Sequence, residues 1–222
     1  MAKHLVSVDR TVPLGDCPAE GHNRWHPDIT PMIHVKSGDE AEIHTRDSFD
    51  CQIHKSMSGA DLGQASIGRA HPLTGPVYVE GAELGDLLAV DILDVKSHDE
   101  GFTLIAPGFG FLRDCFTNPH LIHWEMREGF ATSPDLPGVR IPGAPFFGVM
   151  GLAPSHELLA RINAREKSLH ERGGAVFLPD ADMAVPTDPA IAGEALRTIS
   201  PHETGGNLDI KQFVKGTTVY LP

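Results

Sequence analysis

The sequence predicts a mainly β protein, a jelly-roll-like β-sandwich or barrel body carrying a small helical insertion. Two observations support this. The 222 residues include 23 Gly and 18 Pro, so turns are frequent and short apolar segments recur between them. Helical periodicity, by contrast, is clear in only one stretch. A chain of this length can bury one large core or two small ones.

The elements follow in order. Residues 32–47, "MIHVKSGDEAEIHTRD", read as strand, turn, strand. Ile33 and Val35 alternate with polar neighbours, Ser37-Gly38-Asp39 supplies the turn, and Ala41 and Ile43 resume the period of two. Residues 76–97 repeat the pattern in a second hairpin-like unit: Val77 and Val79, the turn residues Gly85-Asp86, then the long apolar strand "LLAVDILDV". "GFTLIAPGFGFL" (101–112) and "GVMGLAP" (148–154) are further short apolar segments broken by Gly and Pro. The clear helix is 155–174. Ser155 caps it, Leu158, Leu159 and Ile162 share a face, Glu157 and Arg161 stand four apart, and Gly173-Gly174 end it. A weaker helical pattern covers 189–199, after the Pro- and Asp-rich "VFLPDADMAVPTDP". The chain therefore divides into a β-rich part (1–154), a helical insertion or lid (155–200) and a return to the β body (201–222) that ends in the strand "TTVYLP".

The formal net charge is −12. No basic stripe is present, which argues against a nucleic-acid partner. A small neutral or cationic substrate fits better. No apolar run is long enough to span a bilayer. Three widely spaced cysteines, Cys17, Cys51 and Cys115, suit a reducing cytoplasm, and the lack of Cys-x-x-Cys speaks against a zinc knuckle. No nucleophile elbow, phosphate loop or dinucleotide fingerprint occurs.

Thirteen histidines make imidazole chemistry the first place to look. His22 and His26, in "GHNRWHPDITP", have metal-ligand spacing only on a helix, and Pro27 and Pro31 break that helix. They read as packing around Trp25 and as solvent-facing rings. His71 precedes Pro72 and is biased toward an extended backbone, and Glu80 closes the following strand beside Gly81. Both could line a pocket, or serve as ordinary polar groups of a surface hairpin. Asp47 in "HTRDSFD" is a turn residue or a ligand. In "GGNLD", Gly205-Gly206 permit close backbone approach and Asn207 offers donor and acceptor; an ordinary Gly-Asn turn is the plainer reading.

"HPLTGPVYVEGAELGD" (71–86), "PFFGVMGLAP" (145–154) and "ETGGNLDIKQFVKGTTVYLP" (203–222) together resemble the acetamidase/formamidase family of small-amide hydrolases. "GHNRWHPDI" (21–29) and the long segment before "GGNLD" resemble its formamidase branch, which includes γ-lactam hydrolases. The resemblance covers about His22 to Pro222. It implies a jelly-roll-type body, hydrolysis of small neutral amides to ammonia and a carboxylate, and a bound divalent metal, zinc or alternatively calcium. It implies Asp47 and His71 as metal ligands, and Glu80, Asn207 and Asp209 as catalytic groups. Gly205, Gly206 and Thr74 would contact substrate, within a homo-oligomer. Family members continue beyond the equivalent of Pro222 into Gly-Asp-x-His and Gly-Asp-Gly-Glu motifs, so the chain is expected to be either a fragment of a longer polypeptide or one half of a split protein whose partner chain carries that segment. Thr204 stands where many relatives have His. Two rival readings are a non-catalytic β-sandwich binding module and a cupin-like metal oxygenase, the latter disfavoured because no His-x-His occurs.

Overall fold

A computed structural model describes residues 1–222. Its strands are Lys3–Val6 (β1), Arg24–Trp25 (β2), Ile33–Lys36 (β3), Glu40–Ile43 (β4), Val77–Glu80 (β5), Leu88–Asp91 (β6) and Glu100–Ile105 (β7). They continue with His120–Arg127 (β8), Phe130–Thr132 (β9), Ile141–Pro142 (β10), Val149–Gly151 (β11), Leu196–Arg197 (β12), Gly205–Asn207 (β13) and Thr218–Leu221 (β14). Two α-helices, His156–Glu171 (α1) and Pro189–Ala192 (α2), make the small helical insertion. The mainly β expectation holds. The strands are shared among six small sheets: β10-β9-β8-β7 has four strands, and five others have two.

Both expected hairpin-like units contain their two strands, but in neither do those strands pair. β3 pairs in parallel with β5, β4 in parallel with β1, and β6 antiparallel with β14. The turns explain this. Asp39 N–H closes on Lys36 O at 3.0 Å with Gly38 at φ 87°. Asp86 N–H closes on Glu83 O at 3.1 Å with Gly85 at φ 99°. In each turn only the second central residue is left-handed, as in a type II turn. Tight hairpins need the first central residue left-handed as well or instead, because only then does the turn's twist match that of the strands. Each aspartate also accepts the N–H three residues back, from Lys36 at 3.0 Å and Glu83 at 2.9 Å. The turns are therefore well made, and they send the chain away to other partners.

α1 forms as its sequence predicts. Ser155 Oγ accepts the Leu158 N–H at 3.1 Å. At the far end Gly173 is at φ 83°, its N–H donates to His170 O at 2.8 Å, and Gly174 N–H donates to Leu169 O at 2.9 Å, the pair of bonds of a Schellman cap. Leu159 and Ile162 are buried against Leu196, with Trp25 and Leu158 at the margin. The helical pattern at 189–199 gives only the four residues of α2, capped by Asp188 and followed by Gly193. The chain then extends, because Leu196 and Arg197 pair antiparallel with Trp25 and Arg24. The core is divided: Ile92, Phe213, Val219 and Leu221 form a second cluster, and Ile29, Ile191 and Ala195 a third.

Because Leu159 is enclosed, Leu159→Ala should lower the unfolding free energy by about 2–5 kcal/mol. Loss of the cap in Ser155→Ala should cost about 1 kcal/mol. Urea denaturation of the two variants checks both values, and equal effects would contradict this account of α1.

Candidate functional site

β2 carries a buried polar anchor. Arg24 is 0% exposed. Its guanidinium donates to the carbonyls of Asp180 at 2.8 Å, Asp182 at 3.0 Å and its own neighbour Asn23 at 2.9 Å. Burial, with Arg197 nearby, pulls its pKa down to about 10. Asn23 completes the anchor: its Nδ2 donates to Met183 O and its Oδ1 accepts the Val185 N–H, both at 2.8 Å. The Pro- and Asp-rich connection is thereby fixed beside β2, and β2 fixes β12.

The residue after β12, Thr198, is fully buried and grips His71 at three points. Its hydroxyl accepts the His71 N–H at 2.5 Å and donates to His71 O at 3.0 Å. Its carbonyl accepts from the His71 ring at Nδ1, 3.1 Å away. The next carbonyl, of Ile199, accepts from Asn207 Nδ2 at 2.9 Å. Two residues that the motifs single out are thus held by consecutive positions of one strand extension.

His22 enters from the other side. Its backbone forms a two-bond bridge with Leu73, its ring Nδ1 lies 2.6 Å from Arg24 O, and its edge meets Trp25 with centroids 5.8 Å apart. A carbonyl oxygen only accepts, so both His22 and His71 carry a proton on Nδ1 and leave Nε2 for a ligand or a transferred proton. Burial pushes the His22 pKa down to about 4, so Nε2 of His22 holds a lone pair at neutral pH. The glycines let the last wall close. A Cβ on Gly205 would lie 2.6 Å from Met150 O, and one on Gly206 3.8 Å from Trp25 Nε1. Both have left-handed φ, 97° and 115°.

His22, Trp25, His71, Thr198, Gly206 and Asn207 therefore form one polar nucleus. Asp209 lies beside it: its Oδ1 and the Oδ1 of Asn207 both face Gly148, to whose carbonyl Asp209 N–H donates at 3.0 Å. Other expected residues stand elsewhere. Glu80 is exposed at the end of β5, 3.9 Å from Lys36. Asp47 gives its two oxygens to the N–H groups of Phe49 and Cys51, at 2.9 and 2.7 Å, and no hydrogen bond or ion pair joins it to His71. The Thr74 hydroxyl donates to His44 O at 2.7 Å. The solvent-facing reading of His22 and His26 is corrected: they are 4% and 3% exposed, because β2 is clamped between 180–185 and β12 and its flanks go inward with it. The Gly-His-Asn-Arg-Trp-His run held the signal for His22, in a polar segment that spacing rules for helices and strands do not describe.

A second cluster was invisible in the sequence because it spans 168 positions. His26, His156 and Glu194 place ligand atoms within 4.8 Å of one another. Two imidazoles and a carboxylate suit a borderline cation such as zinc, and the group can hold a metal ion. His26 Nδ1 accepts the Asp28 N–H at 3.1 Å, so its Nε2 carries the proton and donates to Glu194 Oε1 at 3.0 Å. A cation would have to displace that proton. His156 Nε2 is 3.2 Å from Asp28 Oδ1.

A β-rich chain with a glycine-lined nucleus of backbone-anchored imidazoles has clear relatives. The sequence model of the Acetamidase/Formamidase family matches residues 7–222, and the chain belongs to that family. It is 36% identical to an acetamidase from Mycolicibacterium smegmatis over all of this chain and 61% of that one. It is 36% identical to a formamidase from Methylophilus methylotrophus over 99% of this chain and 58% of that one. Among solved structures, a gamma lactamase from Delftia acidovorans superposes with TM-score 0.92 at 35% identity, over 100% of this chain and 58% of that one. The chain thus spans about three-fifths of the length of the relatives it matches.

His22 binds a proton more readily in the unfolded chain, with its ordinary pKa of 6.5, than in the fold, at about 4. Its contribution is complete above pH 6.5 and is lost as pH falls toward 4, up to about 3 kcal/mol. Stability measured by urea between pH 7 and 4 should fall steeply, and His22→Asn should flatten that slope. An unchanged slope would contradict a buried neutral His22.

Proposed function

We propose that the chain carries the reacting groups of an enzyme that hydrolyses the carbon–nitrogen bond of small neutral amides, of the formamide and acetamide class, to ammonia and a carboxylate. The observation that carries this reading is the pair of imidazoles, each tied through Nδ1 to a backbone carbonyl, with Asn207 held by the residue after the one that holds His71. Family membership supports the reaction class.

Amide hydrolysis needs a base for water, donors for the oxyanion and a proton for the leaving nitrogen. In this reading His71 Nε2 takes the proton of the attacking water and returns it to the leaving amine. Asn207 spends one Nδ2 hydrogen on Ile199 O and offers the other to the developing oxyanion. Gly205, Gly206 and Trp25 shape a narrow wall that admits only a small acyl group. Asp209 lies beside Asn207, its N–H bonded to Gly148 O, and is kept as a candidate acceptor for the leaving-group N–H. Glu80, exposed at the end of β5, is retained as a candidate proton carrier. Thr74 fixes the strand before it. A divalent ion, by its donors zinc, would be held by His26, His156 and Glu194, and when bound it supplies a water of lowered pKa. Free cysteines fit work in a reducing cytoplasm.

A second reading is hydrolysis of a γ-lactam, a cyclic amide. The similarity to the Delftia acidovorans gamma lactamase at TM-score 0.92 favours it. Ammonia release from formamide and acetamide, run beside amino-acid release from a γ-lactam, separates the two. Turnover of none of them would overturn both.

His71→Ala should lower kcat by roughly 10²-fold or more, the scale of general acid–base catalysis, and lower the melting midpoint as well, because Thr198 O loses its ring donor. Near-normal turnover in the folded variant would make His71 a packing residue. Glu80→Gln should lower kcat by a similar factor of about 10². Its exposed position makes near-normal turnover the outcome that would remove it from the mechanism.

A further inference from the structure

The chain encloses a cavity of about 180 Å³ that the proposed reaction does not use. Asp50, Arg69, Asn23, Asp16 and Thr187 supply its polar lining. It shares a frame with the imidazole nucleus, since Asn23 follows His22 and Arg69 stands two residues before His71, but neither histidine lines it.

The carboxylate of Asp50 is placed by an unusual backbone. Asp50 and Cys51 are both left-handed, at φ 55° and 53°, a conformation uncommon in residues that carry a Cβ. Asp47 holds them there: its carbonyl accepts the Asp50 N–H at 3.1 Å and its carboxylate accepts the Cys51 N–H at 2.7 Å. Backbone strain of this kind persists only where the surroundings over-determine it, and it clusters at sites that hold ligands. The resulting carboxylate is in a residue only 3% exposed, with Leu14 N–H 3.0 Å from each oxygen. Its ion pair is long. Arg46 donates to Glu20 at 2.7 Å and to the Val12 carbonyl, and stands 3.8 Å from Asp50. Burial therefore raises the Asp50 pKa. Arg69 lines the same cavity, and its guanidinium makes no hydrogen bond or ion pair within the chain. It is near enough to Asp50 to favour the charged carboxylate. Opposite charges thus face one small space without meeting.

The chemistry of a ligand follows by elimination. A simple anion meets Asp50 and Asp16, and a simple cation meets Arg69 with Arg46 behind it. An apolar molecule leaves the buried charge as poorly paired as before. A molecule with both an ammonium and a carboxylate satisfies both groups, the ammonium with its N–H donors and the carboxylate with a planar edge for the guanidinium fork. The volume is below the roughly 300–1,000 Å³ of drug-sized sites, so the ligand has only a handful of non-hydrogen atoms.

We propose that this cavity is a binding site for a small amino-acid zwitterion, whose ammonium pairs with Asp50 and whose carboxylate pairs with Arg69. The site stands on its own residues and does not rest on the proposed hydrolysis. Opening a γ-lactam with water turns its amide into one carboxylate and one ammonium on the same carbon chain, so γ-aminobutyrate is a fitting probe.

Isothermal titration of the purified chain at neutral pH and low salt compares γ-aminobutyrate with butyrate, butylamine and butyramide, each of which lacks one or both charges. The expected result is one site per chain, with γ-aminobutyrate bound at least about tenfold more tightly than each of the other three. Arg69→Gln should weaken it by about tenfold or more without moving the melting midpoint of the free protein, because that side chain makes no bond in the fold. Arg69→Lys, which keeps the charge and loses the fork, should fall between the two. Butylamine should bind Arg69→Gln no worse than the parent chain, which locates the ammonium away from Arg69. Three results would each overturn the proposal: no binding of γ-aminobutyrate at millimolar concentration, equal affinity for butyrate, butylamine or butyramide, or binding that survives Arg69→Gln.

Discussion

The structure depends on one buried cation held by carbonyls. Arg24 has no carboxylate partner, and an uncompensated buried charge costs several kcal/mol. Its cost is offset only if every N–H finds an acceptor, and hydrogen bonds to a charged group are worth about 1.5–3 kcal/mol each. The carbonyls that serve are those of Asn23, Gly68, Asp180 and Asp182. They lie on three segments far apart in sequence. Satisfying Arg24 therefore fixes the relative positions of 22–26, 66–71 and 180–185 at once. Asn23, with both ends of its amide bonded to the last of these, makes the arrangement two-sided.

The two anchored imidazoles and Asn207 inherit their positions from that anchor. β2 is held, so β12 is held by pairing with it, and Thr198 and Ile199 follow directly. Those two residues supply the contacts that orient His71 and Asn207. His22 is fixed by the carbonyl of Arg24 itself. Neither imidazole has a carboxylate to set its tautomer; backbone carbonyls do it. That choice keeps both Nε2 atoms available. Gly205 and Gly206 matter for a different reason. β13 passes so close to β11 that a side chain at Gly205 would collide with Met150 O, and Gly206 holds a left-handed φ of 115°.

Away from this nucleus the chain is loosely bounded. Core clusters of four, three and three residues are small for a chain of this size, and five of the six sheets have only two strands. Such sheets are marginal alone and depend on being covered. The imidazole nucleus, by contrast, is satisfied by the chain's own backbone carbonyls.

The sequence by itself determined what local chemistry controls. α1, its Ser155 cap and its Gly173-Gly174 end were legible because each bond spans five residues or fewer. The strand segments at 33–36, 40–43, 77–80 and 218–221 were legible from their period of two. The motifs placed His71, Gly205, Gly206 and Asn207 near one another on family resemblance alone. The tertiary structure decided every pairing. Type II turns at Gly38 and Gly85 leave their flanking strands unpaired locally, so parallel partners must come from β1 and β5, and an antiparallel one from β14. It decided that 196–197 extends, because pairing with β2 buries Leu196 and outweighs a helical pattern already interrupted by Gly193. It decided that His22 and His26 are inside, and it gathered His26, His156 and Glu194 from segments as much as 168 residues apart. Contacts of that range leave no period in the sequence, since what joins them is the closure of loops around a buried guanidinium.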